Sequence, residues 1–170
     1  MKAMKLKLAL IAAAFILLFG ARLIWTIETG KQSPRAEAGV LDLTEWDGKQ
    51  DDVLALRGEW TFYPGVLLEP GEPLPDESHT KVIAVPGGWD HSVGGVKPTA
   101  LGVGTYRLLV RLPEQEGVQE PYGLRVQRIR TAHKLFVDGQ WLGQQGVPGM
   151  SLDETTAGML PYTVSFEPSG

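Results

Sequence analysis

His79, His91 and His133 are the only imidazoles in the chain, and no two of them stand at a metal-ligand spacing. There is no cysteine, which removes disulfides, thiolate zinc sites and a cysteine nucleophile. No serine sits in a G-x-S-x-G elbow, and Ser92 and Ser151 lie in turn-rich stretches with no base at a readable spacing. The glycine-rich runs GGWDHSVGG (87–95) and GVGTY (102–106) are not followed by a helical pattern, so they do not read as phosphate cradles at a helix N-terminus. The acidic pairs Asp51/Asp52 and Glu45/Asp47 fit a solvated face better than general acid–base work. What these residue types can do is recognition. Trp89, Asp90 and His91 share one loop, Arg130 and His133 approach a tight turn, and Trp141 follows it. An aromatic plate with a few polar groups stacks a sugar ring and hydrogen-bonds its hydroxyls. The competing reading is packing, because Trp46, Trp60, Trp89 and Trp141 all suit core or edge positions of a β-sandwich. The expectation is a non-catalytic chain with no metal and no cofactor, binding a carbohydrate or another small ligand.

The elements that carry these residues are strands. The chain has 170 residues, 43% of them hydrophobic, with 21 Gly and 12 Pro, a composition that suits a turn-rich β fold. Short apolar runs recur at VLDLTEW (40–46), VLALRGEWTFY (53–63), KVIAVPGGW (81–89), GTYRLLVRLP (104–113), YGLRVQRIR (122–130), HKLFVDGQWLGQQG (133–146) and MLPYTVSFEP (159–168). Gly58 marks a bulge or bend in the second run, and residues 67–80, with three prolines, form a loop. Asp138-Gly139 between alternating runs predicts a type I′ hairpin pairing residues 134–137 with 140–143. Arg107, Arg111, Arg125, Arg128 and Arg130 are expected to stand on exposed strand positions opposite acids. About seven strands without a long amphipathic helix predict an all-β sandwich over residues 39–170.

Charge is distributed unevenly. Lys2, Lys5, Lys7 and Arg22 precede every acid, whereas the remainder carries 20 Asp and Glu against 12 Lys and Arg. Such an acidic body repels a phosphate backbone, so nucleic acid is not an expected partner. Residues 1–7 read as a basic cytoplasmic terminus, 8–27 as one transmembrane signal anchor or a cleaved signal peptide, and 28–38 as a polar linker. A 20-residue helix reaches about 30 Å, Trp25 suits a membrane interface, and no small-x-small cleavage site follows the apolar run. Basic residues stay inside, which places the acidic body outside the cell.

The fragments LRGEWTFYP (56–64), VPGGWD (85–90), GVGTYRLLVRLP (102–113) and YGLRVQRIRTAHKLFVDGQWLGQQG (122–146) occur in an informative order. Together they resemble the galactose-binding-like jelly roll at the N-terminus of family-two glycoside hydrolases, with Asp138 in place of the usual Asn before Gly. With LDLTEWD, the LLEP that follows the WTFYP element, and Ala132-His133-Lys134-Leu135, residues 41–168 resemble more closely the extracellular sensor domain of bacterial seven-transmembrane receptors with diverse intracellular signalling modules. That resemblance implies a jelly-roll sensor outside the membrane, a seven-helix membrane bundle encoded downstream as partner, and a histidine kinase, nucleotide cyclase or phosphatase output in a full-length parent. The chain ends at Gly170, before any such bundle, so it is expected to be a fragment, a truncated reading frame or a stand-alone domain. The alternatives are a sugar-binding-like domain of a secreted glycoside hydrolase and a purely structural ectodomain.

Overall fold

The computed structural model describes residues 4, 7, 12–22, 33–46, 53–88, 102–114 and 121–169. It divides into two compact units, residues 1–33 and 34–170.

In the first unit residues 12–22 are helical. Phe15, Ile16, Leu17, Leu18 and Phe19 are 68–74% exposed. Successive residues step about 100° around a helix, so these five exposed side chains are spread over its whole circumference. No helix among the described residues is long and apolar enough to cross a membrane. The 11-residue run 12–22 reaches only about 17 Å, and residues 8–11 and 23–27 of the expected span lie outside the described residues.

The second unit is all-β. Among the described residues its strands are β1 (Val40–Asp42), β2 (Gly58–Pro64), β3 (Lys81–Val85), β4 (Gly104–Arg107), β5 (Leu109–Arg111), β6 (Tyr122–Val126), β7 (His133–Val137), β8 (Gln140–Gln145) and β9 (Tyr162–Phe166), with a short 3-10 turn at Glu77–His79. They form four ladders: a three-stranded sheet in the order β3-β2-β4, and the pairs β1-β5, β6-β9 and β7-β8. All pairings are antiparallel except β1 with β5.

The run GTYRLLVRLP, expected as one strand, is divided at Leu108. Its first half pairs with β2 as far as Thr61↔Arg107. Beyond that point the edge of β2 is taken by residues 36–39: Glu59 donates its N–H to Ala36, and Gly39 donates to Glu59. The second half therefore passes to β1, beginning with Leu109 N–H to the Gly39 carbonyl. Two glycines permit this insertion. Gly58 has φ +123° and Gly39 has φ +84°; a Cβ on Gly58 would collide with the Ala36 backbone, and one on Gly39 with the Thr61 hydroxyl. Gly58 is thus the first residue of β2 rather than a bulge in the middle of a longer strand, and residues 53–57 are not in a ladder.

The core gathers where the chain crosses over. Ala36, Leu41 and Leu43 are buried, with Trp46, Leu54, Leu56, Trp60, Leu108, Val110 and Leu112 packed around them. Phe62, Tyr63, Ile83 and Val126 are also buried. Tyr106 lies between Trp60 and Phe62, with ring centroids at 6.4 and 4.8 Å. β6 ends at Val126 rather than continuing to Arg130. Its partner β9 starts at Tyr162, and the residue before it, Pro161, has no N–H to extend the ladder.

Candidate functional site

The hairpin that carries the recognition residues forms as its turn chemistry demands. Asp138 and Gly139 have φ of 48° and 78°, the left-handed pair of a two-residue turn. The register runs Val137↔Gln140, Phe136↔Trp141, then Leu135↔Gly143, so Leu142 is an extra residue on β8 and the ladder bulges there. The turn is tied down by the backbone N–H of Ser169, which donates to Asp138 Oδ2 at 3.0 Å.

Register and alternation decide which side chains share a face. His133 and Leu135 lie on one face of β7, Lys134 and Phe136 on the other. Trp141 stands opposite Phe136 and Gln144 opposite Lys134. Trp141 therefore faces away from His133, and the two do not line one site. Arg130 is exposed in the connection before β7. Trp89, Asp90 and His91 lie outside the described residues. The expected six-residue constellation is thus divided, among the described residues, into a His133 side and a Trp141 side.

On the first side His133 meets Tyr162 of β9. The imidazole Nε2 and the phenol oxygen are 3.0 Å apart, and the rings lie nearly parallel with centroids at 5.7 Å. Gly143 leaves room for the phenol, since a Cβ there would run into the Tyr162 ring. The buried Nδ1 finds no hydrogen-bond partner among the described residues. Burial lowers the His133 pKa from its ordinary value and raises that of Tyr162. An orphaned acceptor costs less than an orphaned N–H, which favours the neutral tautomer with its proton on Nε2, donated to the phenol oxygen. This pair joins the hairpin to β9.

On the second side Trp141 is 62% exposed, beside Lys134 and Gln144. Lys134 is paired with Glu69 from the proline-rich loop, and Gln144 donates to the Gly146 carbonyl at 2.6 Å. The loop is held at its base by Thr105, whose hydroxyl donates to the Val66 carbonyl and accepts from Leu68 N–H. An exposed indole with an ion pair and an amide on the same face is a platform that can stack a flat apolar ring face and hydrogen-bond its rim. Glu69 could not be placed at this face from the sequence, because its position depends on the path of the proline-rich loop.

The other tryptophans divide as packing requires. Trp46 and Trp60 sit against the Leu41 cluster, and the Trp60 indole N–H is buried without a partner. Of the expected arginine row, Arg111 pairs with Asp42 directly across the parallel ladder at 3.6 Å. The Thr44 hydroxyl and N–H, more than Arg111, hold the Asp42 carboxyl below its usual range. Arg107 faces Thr61 and Arg125 faces Thr163, so these two positions are not opposite acids. No cluster of three potential metal ligands occurs among the described residues. No family model, curated protein or solved structure matches the chain.

Proposed function

We propose that this chain is the extracellular ligand-sensing part of a membrane-bound bacterial signal-transduction receptor. In this reading an N-terminal anchor holds a galactose-binding-like jelly roll outside the cell, and the ladders of the second unit are the two layers of that sandwich. The observation that carries the reading is the helix at 12–22. Its apolar side chains are uncovered on every side, behind three lysines and ahead of an acidic β body. A helix that is apolar all round suits lipid. Sensing then works by population shift: a ligand that binds one receptor state more tightly biases the membrane partner towards it. The Trp141 face is the ligand platform, and a carbohydrate is the ligand class that an exposed indole beside polar groups suits.

The test is titration calorimetry of the full chain in detergent against a panel of mono- and oligosaccharides, with Trp141→Ala alongside. A binding sugar whose affinity falls about tenfold in the variant, near 1.4 kcal/mol of stacking, supports the platform. Absence of heat for every sugar, or binding indifferent to Trp141, sinks it.

A further inference from the structure

The Trp141 face is completed by a loop from a distant part of the chain. Lys134 and Phe136 stand on one face of β7 and Trp141 lies opposite Phe136, so Lys134 is a diagonal neighbour of the indole. The Lys134 ammonium donates to Glu69 Oε1. Glu69 is fixed on both sides of its backbone: its N–H donates to Glu72 Oε2 at 2.9 Å, and its carbonyl accepts the Glu72 N–H at 3.2 Å. The next residue, Pro70, comes against the hairpin turn, its Cβ 3.8 Å from where a Cβ on Gly139 would lie. Thr105 holds the start of the loop through Val66 and Leu68. The lysine charge is thus met by Glu69, with the carboxylates of Glu72 and Asp138 in the same loop and turn.

We propose that the Glu69–Lys134 pair sets the specificity of the Trp141 platform, admitting a neutral pyranose and rejecting an acidic one. This inference deepens the sugar-platform reading above and rests on it. An exposed indole stacks the apolar face of any pyranose, so the polar rim decides which sugar stays. Lys134 uses one of its three protons on Glu69 and keeps two, while the carboxylate keeps Oε2 as an acceptor. An ammonium beside a carboxylate fits adjacent hydroxyls, each of which both gives and takes a hydrogen bond. A sugar carboxylate has no proton to give Glu69, and it meets a lysine whose charge is already matched. The acidic side chains around the pair repel such an anion and leave a neutral hydroxyl unaffected. Both partners are partly exposed, so a ligand reaches them and the pair itself adds little to stability.

The test is titration calorimetry of the full chain in detergent with the methyl glycosides of glucose, galactose and mannose, each beside its C6 uronate. The expected result is Trp141-dependent heat from a neutral glycoside, with its matched uronate bound about tenfold more weakly. Glu69→Gln removes the charged acceptor and leaves the ammonium unmatched, so the neutral sugar should weaken about tenfold while the uronate tightens. Adding Lys134→Met to Glu69→Gln should abolish that gain. A gain of uronate binding is a result that no misfolded variant gives, and urea midpoints of both variants should stay near the wild-type value. Trp141-dependent binding that favours the uronate in the wild type, or that is indifferent to Glu69→Gln, overturns the inference and leaves the platform standing. Heat from no sugar, with the wild type or either variant, sinks the platform reading and this inference with it.

Discussion

His133 shows how one side chain sets a pH response. Its Nε2 is engaged with Tyr162, and its buried Nδ1 faces no acceptor, so protonation would place a buried N–H without a partner. Burial holds the folded-state pKa below the ordinary 6.5 that applies in the unfolded chain. The unfolded state therefore takes up the proton first. Stability contributed by this group is full above that ordinary value, falls as pH drops below it, and levels off beneath the folded-state value. Denaturant midpoints measured at about pH 7.5 and about pH 5.5 should fall further for the wild type than for His133→Gln, which keeps a hydrogen-bonding group but cannot titrate. Equal pH responses would show that His133 is not strained by its proton. His133 was legible in the sequence as a residue at the start of a strand and was expected in the recognition set; its partner was not legible, because Tyr162 is 29 residues away and reaches it only across Gly143.

At the scale of elements, the crossing of residues 36–39 over the start of β2 decides how the strands are shared. Gly58→Ala should destabilise the body by about 1–3 kcal/mol, because a left-handed φ and a backbone collision act together. Gly71→Ala, at φ +88° with open space around it, meets only the first cost and should lose about 1 kcal/mol. Equal losses in urea unfolding would remove the collision from the account. Local signals made much of this level legible. The Asp138-Gly139 turn, the stop of β3 at Pro86, the loop at 67–80 and the alternation of Leu124 with Val126 follow from turn chemistry and a period of two. The division of GTYRLLVRLP at Leu108 was not legible, since it arises from competition for the β2 edge by a segment some 70 residues earlier. The bulge at Leu142 was equally hidden; it puts Gln144 rather than Gly143 opposite Lys134, whereas Trp141 and His133 fall on opposite faces through the turn register itself, because Trp141 pairs with Phe136, three residues from His133. A recognition cluster read along the chain thus becomes two sides of one hairpin.

For the whole molecule, the contacts divide the chain between residues 33 and 34, a position inside the polar 28–38 segment expected as a linker. The basic, apolar start lies in the first unit, and every described strand lies in the second. The proposed account joins them as a tether in lipid and a recognition body outside, with the positive end retained inside. Its most direct test uses the full chain with Leu74→Cys in intact cells, treated with a membrane-impermeant maleimide before lysis and then separated by carbonate extraction. The account predicts that position 74 is labelled without lysis and that the labelled chain stays in the membrane pellet. Labelling only after lysis, or a labelled chain released to the supernatant, would contradict it.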